Sequence, residues 1–413
     1  MTDHSPHSLY LHVPFCVSKC PYCDFNSHVG LEGLFASYSR ALVAEIRLWG
    51  RELGAPRLDT VFIGGGTPSR VPAGQIRAAL DAVRESFVLA PDAEVTLEAN
   101  PQSAESDKME AWLAAGVNRL SLGFQSLDSG ALGFLERAHT ADEAVDVFGR
   151  ARTAGFGNVS CDLIFAIPGL TTSRWEEVLA AVLQLGPDHV SAYELTPEVG
   201  TRLGADVASG RTLMPDDEVK LDQYAAAEML LAAAGLARYE VSNWARPGRE
   251  CRHNMAYWSG VPYAAAGAGA HAFLFAQSAP SWLRETRTEG AITVRQWNVS
   301  NPAAYIAAVR DRGHAQAGHE WLDRHTTIGD LMMMGLRMRS GVDLGAASRR
   351  FGSDIGGALA TKVDELAGAG LLHRDGDMVA ATEGGMLVLN RVVAEFVGAG
   401  TGAWNEADPP TLV

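Results

Sequence analysis

Three of the five cysteines in this 413-residue chain, Cys16, Cys20 and Cys23, lie in the short segment FCVSKCPYCDFNSH. The spacing C-x3-C-x2-C brings three soft thiolates together on one loop, and thiolates select iron–sulfur clusters, zinc or Cu(I). Structural zinc sites and electron-transfer clusters normally use four protein ligands. In a 4Fe–4S cluster, three cysteines would leave one iron without a protein donor, and such an open iron can bind a substrate or cofactor directly.

A structural zinc site with His28 as its fourth ligand is the alternative interpretation of these cysteines. It leaves the next motif unexplained. GGGTPS, Gly64 to Ser69, has three glycines that allow a backbone to approach a ligand closely. No lysine follows at the spacing of a nucleotide-binding P-loop, so the segment is not one.

Six β-rich segments alternate with helical patterns through the first two thirds of the chain. The predicted strands are LYLHV, TVFIG, EVTLE, RLSLGF, VSCDLIFAI and HVSAYEL, beginning at Leu9, Thr60, Glu94, Arg119, Val159 and His189. Strands separated by helices predict repeated βα units, hence an α/β fold with a parallel sheet or barrel. Ligands of such folds bind at the carboxyl ends of the strands.

The motifs obey that rule. The cysteines follow the first strand, GGGTPS the second, EANP the third and GFQS the fourth, while Asp162 lies within the fifth. After about Trp244 the pattern becomes irregular. From about Glu320 three helices, a short hairpin and a final helix predict a mostly helical, winged-helix-like domain.

Composition narrows the class of protein. The net charge of −15 argues against a nucleic-acid binder, and acidic residues also exceed basic ones from Glu320 to Val397. No window of about 18 apolar residues predicts a membrane span, and the first residues do not resemble a signal peptide. Few cysteines argue against a disulfide framework. We expect a cytoplasmic protein.

C-x3-C-x2-C after the first strand and GGGTP after the second resemble the radical S-adenosylmethionine (SAM) superfamily. In that family three cysteines hold a 4Fe–4S cluster, and SAM chelates the open iron. The resemblance implies a partial TIM-type (β/α)6 barrel. It also implies Cys16, Cys20 and Cys23 as cluster ligands.

The segments SLYLHVPFCVSKCPYCDFNS, VFIGGGTPS, LEANP, RLSLGFQS and DLIFAIPG look like the oxygen-independent coproporphyrinogen dehydrogenases, the HemN group, and their HemW relatives. HemN-type enzymes carry a further cysteine two residues after the third. Phe25 occupies that position here, which matches the HemW pattern.

Site residues follow from the same resemblance. Tyr10, Gly65 and Glu98 match contacts of the first SAM. A second set matches positions that hold a second SAM in HemN structures: Tyr22, Gly66, Thr67, Gln125, Arg137 and Asp162.

HNMAYW, His253 to Trp258, resembles the HNxxYW motif of HemW proteins, which are understood as heme chaperones. An imidazole can be an axial ligand to heme iron, and aromatic rings can lie against a porphyrin face. The alternative from the residues alone is that His253 and its aromatic neighbours are core residues that close the barrel.

The resemblance implies a heme chaperone that carries a 4Fe–4S cluster, SAM and heme. It would transfer heme to acceptor proteins such as respiratory enzymes, and a homodimer is possible. Oxidative decarboxylation of coproporphyrinogen III is the alternative activity, and Phe25 separates the two. The expected layout is a radical SAM core at 1–240, a connecting segment with HNxxYW at 241–319, a HemN-type helical domain at 320–398 and a flexible tail at 399–413.

Overall fold

The computed structural model describes residues 5–397, so the expected tail at 399–413 lies outside the described residues. The strands are β1 (Ser8–Val13), β2 (Phe15–Cys16), β3 (His28–Val29), β4 (Arg57–Gly65), β5 (Val88–Ala99), β6 (Arg119–Gln125), β7 (Val159–Phe165), β8 (His189–Glu194), β9 (Ala237–Glu240), β10 (Asn243–Ala245), β11 (Tyr263–Ala266), β12 (His271–Phe275), β13 (Thr293–Asn298), β14 (Gln316–Leu322), β15 (Val342–Asp343), β16 (Leu372–Asp375) and β17 (Met378–Ala381).

The helices are α1 (Phe35–Leu53), α2 (Ala73–Ser86), α3 (Ser106–Ala114), α4 (Ser129–Phe134), α5 (Ala141–Ala154), α6 (Thr172–Gln184), α7 (Arg202–Ala208), α8 (Asp217–Ala233), α9 (Arg252–Trp258), α10 (Ser281–Arg284), α11 (Pro302–Arg312), α12 (Arg324–Gly335), α13 (Leu344–Phe351), α14 (Ile355–Gly368), α15 (Glu383–Leu387) and α16 (Leu389–Ala394). None of them, within the described range, has the length and apolar character that a helix needs to cross a membrane.

One large sheet organises the molecule. In the described part of the chain it has twelve strands in the order β14-β13-β12-β11-β1-β4-β5-β6-β7-β8-β10-β9. The strands β1, β4, β5, β6, β7 and β8 are parallel and follow chain order. The six predicted strands, the helices between them and the α/β class with a (β/α)6 unit are therefore confirmed.

The two faces of the parallel strands differ in chemistry because successive side chains point to opposite faces. Leu120 and Leu122 of β6 belong to the same buried apolar cluster as Ile46 of α1 and Leu80 of α2. Between them, Ser121 points to the other face and donates a hydrogen bond to a carboxylate of β7. The helices thus cover an apolar face, and the polar face is left for the functional site.

The segment between the parallel strands and the C-terminal helices continues the sheet, which the sequence did not indicate. β11 pairs parallel with β1, and β12, β13 and β14 follow as an antiparallel meander. The sequence YAAAGAGAHAFLF around β11 and β12 lacks the β-branched alternation by which strands are recognised. At β11 small side chains fit because Ala264, Ala265 and Ala266 are fully buried against neighbouring elements.

The C-terminal region forms its own small core. β15, β17 and β16 make an antiparallel sheet, and α12 to α16 pack around it through a second apolar cluster. This agrees with the predicted mostly helical region with a hairpin. The domain limits at 240 and 319 stay a prediction, and β14 extends across the second of them.

A buried carboxylate ties α1 to the later part of the chain. Glu45 accepts hydrogen bonds from the Gly267 backbone N–H (2.8 Å), Asn298 Nδ2 (2.7 Å) and the Tyr305 hydroxyl (2.6 Å). Burial raises the pKa of this carboxyl to about 7, against the opposing effect of the three donors. Because all three partners are donors, both oxygens of the residue 45 side chain must act as acceptors.

We therefore expect Glu45→Gln to lower the free energy of unfolding by about 1–3 kcal/mol, since the new amide N–H₂ would face donors. Chemical denaturation of the purified variants measures this. Glu177→Gln, on the exposed face of α6, is the matched control and should behave as wild type. Equal stability of the Glu45→Gln variant and wild type would contradict the role given to Glu45.

Candidate functional site

The cysteine loop leaves the carboxyl end of β1 and is closed by backbone pairing at its base. Phe15 pairs with His28 and Cys16 with Val29 in the short parallel ladder of β2 and β3. The His28 N–H also donates to the Pro14 carbonyl at 2.7 Å. This closure holds the three cysteines on one short loop at the end of the sheet.

All three loop cysteines are free thiols and half-buried. Burial raises the pKa of the Cys23 thiol, and nearby Cys16 and Cys20 raise it further. Within residues 5–397 no three His, Cys, Asp or Glu side chains are close enough together to share a single metal ion. A 4Fe–4S cluster has a different requirement, because its thiolates bind different iron atoms. The donor set, three soft and partly accessible thiols, fits such a cluster.

His28, the fourth ligand of the zinc interpretation, is engaged elsewhere. Its Nε2 lies 3.1 Å from Asn26 Oδ1 and 3.3 Å from the Ser300 carbonyl oxygen. These contacts hold the imidazole against the base of the loop.

The glycine loop after β4 packs directly on the cysteine loop. The Gly66 N–H donates to the Val13 carbonyl at 2.9 Å, and a Cβ on Gly66 would lie 2.8 Å from the Phe15 nitrogen. Gly65 has φ +112°, and a Cβ there would meet the His12 ring at 2.5 Å. Only glycine permits this approach, so the motif fixes one loop against the other.

The residues matched to the first SAM line the polar face below these loops. Glu98 Oε2 accepts a hydrogen bond from the Gly65 N–H at 3.1 Å. Burial, and secondarily the charge of Asp162, raises the Glu98 pKa to about 8. The Tyr10 hydroxyl lies 3.0 Å from His12 Nδ1, and His12 Nε2 donates to the Asn26 carbonyl at 2.8 Å. Burial lowers the His12 pKa to about 4, so the ring is neutral and accepts from Tyr10.

Two residues matched to the second SAM contact cysteine sulfurs. Thr67 Oγ1 lies 3.5 Å from Cys16 Sγ, and Arg137 Nη1 donates to Cys20 Sγ at 3.5 Å. Asn100 joins them, because its Nδ2 donates to Thr67 Oγ1 (3.1 Å) and its Oδ1 accepts from Arg137 Nη2 (2.7 Å). Sequence reasoning quoted the EANP motif but did not single out Asn100.

Asp162 is held by three serines on the polar face. It accepts hydrogen bonds from Ser121 of β6 (2.7 Å), Ser160 of β7 (2.9 Å) and Ser191 of β8 (2.9 Å). The three serines were also missed, because single serines within strands carry no distinct signal. The signal that could have found them is the alternation of polar and apolar residues along these strands, which places the serines on the polar face of the sheet.

Gln125 and Tyr22 complete the predicted set. Gln125 ends β6 with φ +62°, a left-handed conformation that is uncommon outside glycine. Burial raises the pKa of Tyr22, whose ring lies next to Arg137 and Cys20. The structure therefore brings the predicted cluster residues and most of the residues matched to SAM to the carboxyl end of the parallel strands, whereas Tyr10 and Asp162 lie within β1 and β7.

His253 lies at the opposite, amino-terminal end of the same strands. Its Nδ1 donates to Thr60 Oγ1 (2.7 Å), which itself donates to Ser8, the first residue of β1. Its Nε2 accepts from the Tyr257 hydroxyl at 2.9 Å. The side chain is fully buried, and burial lowers its pKa to about 3.

The α9 helix that carries His253 is fixed at both ends. Glu94 of β5 accepts hydrogen bonds from the Arg252 and His253 backbone N–H groups, at 3.1 and 3.2 Å. Arg350 of the C-terminal region donates to the Ser259 carbonyl at 2.8 Å. In this conformation α9 covers the amino-terminal ends of the strands, and both His253 ring nitrogens are hydrogen-bonded to other side chains. Axial ligation of heme stays a prediction, and it requires these bonds to be exchanged.

Two protein-family models match parts of the chain. A model of the radical SAM superfamily matches residues 10–182, and one of the HemN C-terminal domain matches residues 322–388. The protein named heme chaperone HemW from Mycobacterium tuberculosis is 38% identical, with 95% of each chain covered. The chain belongs to the HemW family of radical SAM proteins.

Other members and neighbours extend the comparison. The mitochondrial radical S-adenosyl methionine domain-containing protein 1 of Bos taurus is 34% identical, covering 98% of this chain and 90% of its own. The solved coproporphyrinogen III oxidase HemN from Escherichia coli superposes with a TM-score of 0.77 at 22% identity, covering 95% of this chain and 90% of that one. At that identity the likeness shows that this chain has the fold of HemN.

The raised pKa of Glu98 predicts a pH dependence of stability in the cluster-free protein. Between about pH 4.5 and 8 the folded state holds a proton on Glu98 that the unfolded state has lost, so this contribution falls as pH rises. The free energy of unfolding of Glu98→Gln, relative to wild type, should therefore increase from pH 5 to pH 8. Urea titrations at both pH values measure it, and a constant difference would contradict the assignment.

Loss of one loop thiol should remove the cluster and spare the fold. We expect Cys20→Ala to lower bound iron and sulfide severalfold after anaerobic reconstitution while the far-ultraviolet circular dichroism stays unchanged, because Cys20 lies outside the apolar cores. Cys161→Ala removes a thiol from the core face of β7 and should keep its iron. Wild-type iron content in the Cys20→Ala variant would refute the ligand assignment.

Proposed function

We propose that the chain is a heme chaperone that carries a 4Fe–4S cluster and SAM and delivers heme to acceptor proteins. The observation that carries this is similarity along 95% of the chain to a protein named heme chaperone HemW. Phe25, at the place where HemN-type enzymes have a further cysteine, supports the same conclusion.

Cys16, Cys20 and Cys23 would hold the cluster, and an iron without a protein ligand offers a site for the amino and carboxylate groups of SAM. Such a cluster supplies one-electron chemistry to SAM when it is reduced. The chain's own contribution is positional. The glycine loop brings backbone groups close to the cofactor, and Glu98 presents a carboxyl group beside Gly65.

Several residues matched to the second SAM already have hydrogen-bond partners within the chain. Thr67 and Arg137 direct their polar atoms at cysteine sulfurs, and Asp162 is satisfied by serines. We propose the first SAM site on Tyr10, Gly65 and Glu98. A second SAM would need Thr67 and Arg137 to share their hydrogen bonds with it.

Heme is the molecule to be transferred. We propose that His253 becomes its axial ligand after α9 moves away from the strands and the hydrogen bonds of the His253 ring break. A neutral imidazole is the form that coordinates iron, and the low pKa of His253 keeps it neutral at physiological pH. The aromatic rings of Phe62 (5.1 Å between centroids) and Tyr257 (4.8 Å) already pack on it. These rings would offer apolar contact to a porphyrin.

The remaining proposals follow the family assignment. The acceptors would be heme-dependent proteins such as respiratory enzymes, the location would be cytoplasmic, and two copies of the chain would form a homodimer. We propose the limits 1–240, 241–319 and 320–398 for the core, the connecting segment and the C-terminal domain.

Oxidative decarboxylation of coproporphyrinogen III is the second candidate, favoured by the HemN-like fold. One experiment separates the two: the anaerobically reconstituted chain is assayed in parallel for turnover of coproporphyrinogen III and for transfer of bound heme to an apo-cytochrome. We expect transfer without turnover. Clear formation of protoporphyrinogen IX would overturn the chaperone proposal.

Hemin titration tests the ligand. We expect His253→Ala to bind heme with an affinity about tenfold lower than that of wild type, which is a loss of about 1.4 kcal/mol in binding free energy. The affinity is read from the saturable change in the Soret band. Tyr257→Phe removes the hydroxyl that occupies Nε2 and keeps the ring, so it should strengthen or speed binding. Tyr263→Phe, the adjacent ring 4.4 Å from Tyr257, is the control.

The pattern across these variants decides the assignment. Equal heme binding by His253→Ala and wild type would refute the axial ligand. Identical behaviour of Tyr257→Phe and Tyr263→Phe would show that Nε2 is not the coordinating atom.

A further inference from the structure

A continuous path of side-chain hydrogen bonds joins two of the loop cysteines. It runs from Cys16 Sγ to Thr67 Oγ1 (3.5 Å), on to Asn100 Nδ2 (3.1 Å), from Asn100 Oδ1 to Arg137 Nη2 (2.7 Å), and from Arg137 Nη1 to Cys20 Sγ (3.5 Å). The path crosses the carboxyl ends of four neighbouring strands, β1, β4, β5 and β6. Its midpoint is the Asn100 amide.

The amide of Asn100 sets the direction of both halves of the path. Because Nδ2 donates to Thr67 Oγ1, the hydroxyl hydrogen of Thr67 is left for the Cys16 sulfur. Because Oδ1 accepts from one arm of the Arg137 guanidinium, the other arm points at Cys20. An asparagine has the donor and the acceptor that this double role needs.

Asn100 is itself held in place from several sides. Its backbone N–H donates to Ser69 Oγ at 3.1 Å, and its carbonyl accepts from the Ser103 N–H at 3.0 Å. Gly123 makes room for the side chain, because a Cβ there would lie 2.8 Å from Asn100 Oδ1. The Gly123 carbonyl also accepts from Arg137 Nη2 at 3.2 Å. The amide is therefore fixed before any cofactor binds.

We propose that Asn100 is a positioning residue that sets the reduction potential of the cluster through Thr67 and Arg137, without touching the cluster or SAM. The proposal rests on the proposed function in one respect, since it needs the 4Fe–4S cluster on the three cysteines. Hydrogen bonds to the thiolate sulfurs, one of them from a cation, stabilise the added electron and raise the potential. Removing the amide loosens both donors together.

The test uses full-length protein reconstituted without oxygen. Asn100→Ala should bind as much iron and sulfide as wild type, and its midpoint potential should move to more negative values. We expect a change of about tenfold in the reduction equilibrium, which is 59 mV for one electron. A potentiometric titration followed by electron paramagnetic resonance measures it.

Asn118→Ala is the matched control. The Asn118 side chain also joins neighbouring chain segments through its amide, accepting from the Val95 N–H (2.8 Å) and donating to the Ala93 carbonyl (2.8 Å). It does so near the amino ends of the same strands, far from the cysteines. Its potential should equal that of wild type, so a shift in this variant as well would mean general loosening and overturn the proposal.

A mutant cycle isolates the route. If Asn100 acts through its two neighbours, adding Asn100→Ala to a Thr67→Val/Arg137→Gln background should change the potential no further. A full additional shift in that background would overturn the proposal. So would a variant with altered SAM affinity and an unchanged potential, because Asn100 would then be a ligand contact.

The outcomes also separate this proposal from the one on which it rests. A wild-type chain without iron and sulfide after reconstitution would defeat the proposed function first, and this inference with it. A normal cluster with the same potential in wild type and Asn100→Ala would defeat only the inference. If Asn100→Ala takes up no cluster, Thr67→Val alone should show a smaller negative shift, and a wild-type potential there would overturn the proposal.

Discussion

The close approach of two backbones, the glycine loop and the cysteine loop, is the constraint on which the site depends. Gly66 donates to the Val13 carbonyl, and there is no room for a side chain between it and Phe15. The ladder of β2 and β3 closes the same loop from its other side. Short, directional backbone contacts thus place the three thiols before any metal binds, and the parallel strands bring Glu98, Asn100 and Arg137 beneath them.

The two ends of the parallel strands differ in chemical character. The carboxyl ends of the strands carry thiols, carboxyls and a guanidinium, whereas the amino ends are closed by α9 and the C-terminal region. Tyr10 stands between them: its hydroxyl reaches His12 beneath the glycine loop, and its ring stacks on Phe62 at 6.2 Å, which in turn stacks on His253. Tyr10 and Phe62 thus connect the surroundings of the glycine loop with those of His253 by direct contact.

Sequence reasoning recovered the part of the molecule in which local pattern and tertiary role agree. The strands β1 and β4 to β8 are short apolar runs between amphipathic helices, and the motifs stand at their carboxyl ends, so both fold and cluster loop were predictable. The strand β11 was not predictable, because its alanines fit a buried position beside β1 rather than the β-branched pattern of a typical strand.

The placement of His253 shows a different limit. HNMAYW indicates imidazole and aromatic chemistry. Whether the imidazole is exposed or buried depends on contacts with Thr60, Glu94 and Arg350, which are distant in the sequence and come together only in the fold. Asn100 was missed for a related reason: its significance comes from two partners, Thr67 and Arg137, that no spacing rule connects to it.

The pairing of β11 with β1 has a consequence for durability. It makes β1 an interior strand, with four strands on one side and seven on the other. Fraying of a sheet begins at its rims, here β14 and β9, where main-chain groups lack a second neighbour. Local unfolding that starts at either edge, for example after proteolytic cleavage or chemical damage there, can therefore extend to several strands while β1, which leads into the cysteine loop, keeps its hydrogen bonds to both neighbouring strands.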